Sequence, residues 1–207
     1  MKHLKQITLI GLIIVLATSC AKVFYSPDAH SLASAQKTIA IIPPKVAIAP
    51  RRKVDPQALK EQQLTESLNF QKEMHAWLLK RKMQGKITQE IQDVETTNAL
   101  LEKAGYPTEP LTANDMCGIL GVDGIITSNF GMSKPMSEGA AVAIGLLVGV
   151  WGATNEVTVS MGVNDCSNNK QIWNYNHKYS GGVGSTPSRL VDDLMRNASK
   201  KMPYIKK

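Results

Sequence analysis

The chain has 207 residues, a length that suits one well-cored domain, and a formal net charge of +7. The mild basic excess suits anionic lipid head groups or acidic glycans as neighbours. With no nucleic-acid-binding motif in the chain, it does not point to a nucleic-acid partner.

Lys2 and Lys5 form a basic start, and an uncharged apolar run of signal-peptide length follows from Ile7 to Ala17. That run is short for a membrane-spanning helix, which needs about 20 apolar residues. Leu16, Ala17, Thr18 and Ser19 then lead into Cys20. The stretch resembles the lipobox of bacterial lipoproteins, in which the Cys thiol is diacylated and becomes the mature N-terminus. It departs from that pattern in holding Ala17 where Leu is usual, with Leu16 one position further back. The resemblance implies a signal peptide over 1–19, a covalent lipid on Cys20 as the sole attached group, and a membrane as first partner. Two other readings remain, a cleaved secretory signal with an incidental Cys, or an uncleaved anchor. Removal of residues 1–19 leaves 188 and lowers the charge to +5, because Lys2 and Lys5 leave and no acid does. Ala21 replaces the Asp that tends to hold such lipoproteins in the inner membrane, and no acidic run follows. The implied address is the periplasmic face of the outer membrane.

Residues 20–36 are small and polar around Pro27, and read as a lipidated Cys followed by a flexible tether. An α/β domain is expected over 37–204, with a frayed tail after it. Ile39, Ala40, Ile41 and Ile42 form a continuous apolar run of the kind found in a strand buried on both faces, and Pro43 and Pro44 stop it. Residues 46–49 either extend that strand or form an adjacent edge. Asp55-Pro56 then starts a long helix reaching about Gln84. Leu59, Leu64, Leu68, Phe70, Met74, Trp77 and Leu78 cover about half of its circumference. Gln63, Ser67, Gln71 and His75 run as a polar stripe inside that apolar arc. The stripe is either the border of the core or a satisfied hydrogen-bond network.

A second strand is expected within 86–94, then a short helix capped by Thr96 or Thr97 and ended at Gly105. A third helix starts at Thr112 with Asp115 as capping-box partner and stops at Gly121, and a strand follows over 122–130. Residues 139–155 contain no charged side chain, and Gly145 and Gly149 fall within them. Three roles fit this insert: packing over the domain's own sheet, a subunit or partner interface that includes a homo-oligomer, or entry into a membrane. Alternating residues over 156–163 and 171–179 form a hairpin, and strand geometry puts Trp173, Tyr175, His177 and Tyr179 on one face. That aromatic face either covers a core or stacks on a sugar or partner. Thr186-Pro187 opens a last helix whose Leu190, Val191, Leu194, Met195, Ala198 and Met202 keep core spacing.

No constellation for catalysis stands out. The three histidines of the mature chain, His30, His75 and His177, lack metal-site spacing, and neither Cys-x-x-Cys nor a Gly-x-Ser-x-Gly elbow occurs. Cys166 sits beside Asp165, whose charge raises a thiol pKa and so opposes nucleophilic use. Cys117 and Cys166 either pair in an oxidising compartment or stand apart as a buried and a turn cysteine.

This element order resembles the exported lipoproteins that share the TolB N-terminal-like fold. That superfamily includes envelope lipoproteins of unknown function, the curli secretion-channel subunit and lipoprotein activators of peptidoglycan synthases. The resemblance rests on residues 38–44 as first strand, on 120–126 as helix end plus strand, and on Asn164-Asp165 before Gln171-Ile172-Trp173. It implies an α/β fold with a single mixed β-sheet flanked by helices, and no catalytic or metal-binding residues. The expectation is a non-catalytic docking domain for envelope assembly or transport. Its contact residues are taken to be Ile144, Leu147, Val148 and Trp151, with Trp173 and Tyr175 secondary. A glycan binder or peripheral enzyme using the hairpin aromatics, and a membrane-inserting assembly through 139–155, are the alternatives.

Overall fold

The computed structural model describes residues 21–49, 55–133, 155–181 and 186–206. The expectations for Cys20, Ile144, Leu147, Val148 and Trp151 fall outside these residues. One open mixed sheet of seven strands organises the fold, with the order β1-β7-β6-β5-β2-β4 and β3 also paired to β5. Its strands are β1 (Lys22–Tyr25), β2 (Thr38–Ile41), β3 (Lys45–Ile48), β4 (Glu90–Ile91), β5 (Gly124–Ser133), β6 (Asn155–Asp165) and β7 (Lys170–Gly181). The helices are α1 (Ala29–Ala35), α2 (Pro56–Met83), α3 (Val94–Lys103), α4 (Ala113–Leu120) and α5 (Pro187–Ala198). The expected α/β class with a single mixed sheet is the one observed.

The apolar run at Ile39 sits where its composition requires, at the centre of the parallel part of the sheet. β2 pairs in parallel with β5 on one side and β4 on the other. Ile39 and Ile41 face the larger hydrophobic cluster under α2, while Ala40 and Ile42 face a smaller one formed with α3 and α4. Pro43 and Pro44 break the strand, and the chain resumes as β3 beside the second half of β5, pairing Lys45 with Asn129 and Ile48 with Met132. Residues 45–48 are therefore an edge.

Asp55 caps α2 by accepting from the Ala58 N–H at 3.1 Å. The buried side of α2 is narrower than its pattern suggests. Phe70, Met74, Trp77 and Leu78 are buried, but Leu64 and Leu68 are exposed. The middle of the polar stripe, Ser67 and Gln71, is a hydrogen-bond network, while the buried Nε2 of His75 has no partner among the described residues. Ser67 donates to the Pro44 carbonyl at 2.6 Å, and Gln71 donates to the Ile41 carbonyl at 2.7 Å while exchanging two bonds with Asn98 of α3. The Ile41 carbonyl lies on the β4 side of β2, past the end of the two-residue β4, so the Gln71 amide takes the place of a strand partner.

Three expectations need correction. Residues 22–35 are not a tether. β1 pairs antiparallel with β7, from Lys22 opposite Asn176 to Tyr25 opposite Trp173, and α1 buries Ala29 and Ala33 in the core. Two small residues are enough to seat this helix, and the Gln89 side chain donates to the Ala33 carbonyl at 2.9 Å. Nor are residues 205 and 206 frayed: Ile205 packs against the core and the Lys206 N–H donates to the Lys86 carbonyl at 3.1 Å, next to buried Tyr204, which donates its hydroxyl to Gln36. Finally, α3 starts earlier than expected because Asp93, not Thr96 or Thr97, caps it, and the preceding strand is only two residues long.

Candidate functional site

The Cys117–Cys166 region is built from two local rules. Thr112 and Asp115 form the reciprocal capping box that starts α4, and Gly121 ends it with a left-handed φ of 63°. This presents buried Cys117 toward the turn after β6. There it is bonded to Cys166, with 5.6 Å between Cα atoms and 49 residues of separation. The pairing left open above is thus resolved as a disulfide.

Beside the bond lies Asp165, nearly fully buried. Its carboxylate accepts from Gln36 at 2.8 Å, Ser167 Oγ at 2.6 Å, and the Asn168 backbone and side chain at 3.0 and 3.1 Å. Burial alone pushes this carboxyl upward, yet the donors outweigh it and hold it below the usual carboxylate range. The other end of the Gln36 amide accepts from the Tyr204 hydroxyl at 2.7 Å. Burial, with Asp165 nearby, raises that phenol well above its ordinary value. A cleft of about 350 Å³ opens here between α1 and the β6–β7 turn, but its buried polar groups are already paired with one another.

This network explains a glycine. A Cβ placed on Gly124 lands on the Gln36 side-chain oxygen. Gly124→Ala must push the amide off both partners and leave two buried groups unsatisfied. The expected loss is about 2–3 kcal/mol, read as a lower urea midpoint at unchanged m-value. Gly118→Ala, in α4 with nothing within 4 Å of its Cβ, should be neutral or slightly stabilising.

The hairpin aromatics do not form an exposed platform. Trp173 and Tyr175 are 1% and 0% exposed, stacked with ring centroids 5.8 Å apart. α5 covers them with Leu190, Val191, Leu194 and Met195 in the same cluster. Thr186 caps that helix, and Trp77 of α2 donates to Asp192 at 2.8 Å, which locks the two helices over the sheet. Tyr179 takes part in the same seating, donating to the Asp193 carbonyl and accepting from Asn197. Burial raises the Tyr175 phenol, and burial followed by the Lys201 charge lowers His177. As partner-binding residues, Trp173 and Tyr175 are therefore corrected to core residues, because an amphipathic helix claims the face they share.

The opposite face of the same strands is the surface that sequence reasoning missed. α2 and α5 pack on one side of the sheet, while α3 and α4 cover the other side only near β2 and the start of β5. Across β3, β5, β6, β7 and β1 no helix among the described residues covers this second side. Strand register lines up Lys45, Asn129, Ser160, Asn176 and Lys22 as one row across it. A shallow groove of about 390 Å³ runs along β3, β5 and β6 past Lys45, Asn129, Thr158 and Ser160. The alternation of Thr158 and Ser160 with Val157, Val159 and Met161 was the available signal. What it lacked was any sign of whether a helix returns over the polar side, and among the described residues none does.

Among the described residues no group of three His, Cys, Asp or Glu side chains is placed to hold a metal ion. His30, His75 and His177 lie on α1, α2 and β7. Among the described residues, no helix is long and apolar enough to cross a membrane.

No protein-family model matches the chain, and no curated protein sequence does. Solved structures with a similar fold are found at low identity. The PelC dodecamer of Paraburkholderia phytofirmans aligns with a TM-score of 0.45 and 11% identity, covering 90% of this chain and 99% of that one. Lipoprotein GNA1162 of Neisseria meningitidis gives 0.46 and 11%, over 80% and 96%. The LpoB C-terminal domain of Salmonella enterica gives 0.34 and 9%, over 74% and 95%. No functional residue is carried over from them.

Proposed function

We propose that the chain is a non-catalytic lipoprotein at the periplasmic face of the outer membrane, whose domain docks partners in cell-envelope assembly or transport. One juxtaposition carries the reading: a disulfide-locked domain begins as a strand two residues after an acylatable cysteine. Such a bond persists in compartments outside the cytosol, which agrees with the basic and apolar N-terminus. The docking role draws on the uncovered sheet face. Its row of Asn and Ser between Lys45 and Lys22 offers hydrogen-bonding groups without the positioned base and nucleophile that catalysis needs. The buried polar side chains around Asp165 and Gln71 are engaged in structural bonds. The apolar run with Ile144, Leu147, Val148 and Trp151 is proposed as a second contact surface, on its composition alone.

Two experiments test this. Cys20→Ala should move the protein from the membrane fraction to the soluble periplasm with its urea midpoint unchanged. Retention of a Cys20→Ala protein whose residues 1–19 have been removed would transfer the anchoring role to 139–155, and retention with those residues still attached would assign it to the apolar run at 7–17. A photo-crosslinking residue at position 160 in living cells, followed by mass spectrometry, should capture an envelope protein that the same residue at exposed Glu90 does not. Capture from 147 and not from 160 would remove the sheet face from the reading.

A further inference from the structure

We propose that the β1 edge of the sheet lies in the head-group layer of the membrane, with the Phe24 ring at the lipid interface and the Lys22 ammonium against lipid phosphates. This rests on acylation of Cys20. Because β1 begins at Lys22, only Ala21 separates a hydrogen-bonded strand residue from the lipidated position. Two residues of chain span at most about 7 Å, comparable to the roughly 5–7 Å of head-group layer on each side of the hydrocarbon. The domain therefore has no spacer with which to stand away, and β1 is its nearest part.

The side chains agree. Phe24 is 59% exposed on the uncovered face, opposite Asn174, with nothing packed over it among the described residues. Its neighbour Tyr25 points to the other side and is accounted for internally, since its hydroxyl donates to the Lys201 carbonyl and its ring stacks on His30 at 5.4 Å. An exposed phenyl ring beside a lysine is the pairing that membrane interfaces favour, apolar body toward the acyl boundary and cation toward phosphate. Lys22 makes no ion pair among the described residues, whereas Lys170 and Lys178 are held by Asp28 and Glu156. Among the described residues β1 pairs only with β7, so its outer backbone groups face outward, where head groups and interfacial water supply partners. β4 forms the far edge. Five strand spacings of about 4.8 Å put it about 24 Å away.

The test uses the full-length acylated protein in vesicles of phosphatidylethanolamine and phosphatidylglycerol. With Cys20 acylated and Cys117 bonded to Cys166, Phe24→Cys supplies a single thiol for pyrene. A shallow nitroxide lipid should quench that label several-fold more than pyrene at Glu90→Cys on the β4 edge. The same label at Lys22→Cys, also on the uncovered face, should follow position 24 and covers any local disturbance there. Equal quenching at 24 and 90 in protein that floats with the vesicles overturns the edge contact and leaves the anchor intact. Failure to float overturns the anchor and the edge contact together. Excimer emission that grows with protein density, without quenching, assigns the edge to a second copy and overturns the lipid contact.

Discussion

Breaking the Cys117–Cys166 bond is expected to lower the thermal midpoint by roughly 10 °C. The bond closes a loop across 49 positions, and constraint of so long a loop in the unfolded chain is worth about 4 kcal/mol. The loss should be uneven. Among the described residues, the cluster that Cys117 belongs to has eight buried residues, against 26 in the cluster under α2 and α5. The smaller one depends on the bond to keep α4 against the sheet. Hydrogen exchange should therefore accelerate first at the α4 amides, with β6 and β7 protected until global unfolding. A Cys117→Ser, Cys166→Ser variant should start at the lowered midpoint and ignore added reductant. If reductant leaves the midpoint of the natural chain unchanged while its thiols become titratable, the staple contributes nothing to stability.

The same bond marks where sequence reasoning stops. Thr112, Asp115 and Gly121 are local signals, so α4 was legible to the residue, but the burial of Cys117 on it was only one of the readings left open. Whether Cys166 reaches it depends on the register of β6 against β5, which pairs Asp165 with Gly124, and no local pattern encodes that. β1 failed for the same reason. Four residues without clear alternation become a strand only because β7, some 150 residues later, offers an edge. α1 was missed because Ala29 and Ala33, the side chains it buries, are small enough to pass for tether composition. Gln71 went the other way. Its polarity within an apolar arc looked like an anomaly, and its cause is the Ile41 carbonyl, left without a strand partner past the end of the two-residue β4 and thirty positions away in sequence. Local grammar was readable. Long-range pairing, and the sheet face that no described helix covers, was not.

That distinction decides how a change at Trp173 should be read. Trp173→Ala is expected to cost about 3–5 kcal/mol, a large part of the 5–15 kcal/mol typical of a whole domain. The ring is fully buried between its stacked neighbour Tyr175 and the apolar side of α5. Removing it empties the seat of that helix. Loss of glycan or partner binding in this variant would therefore report unfolding, and only a variant that keeps an aromatic ring in the seat can speak to recognition. Trp173→Phe is that variant. The Trp173 indole N–H has no hydrogen-bond partner among the described residues, so the change forfeits packing alone, about 1–2 kcal/mol. On the uncovered face, Asn176→Ala and Ser160→Ala should shift stability by less than about 0.5 kcal/mol, so a binding defect there is a defect of contact. The decisive pattern is a steep fall in urea midpoint for Trp173→Ala, a shallow one for Trp173→Phe, and none for the Asn176 and Ser160 variants. A Trp173→Ala protein that keeps its midpoint and loses ligand would return the aromatics to the surface and restore the glycan-binding alternative.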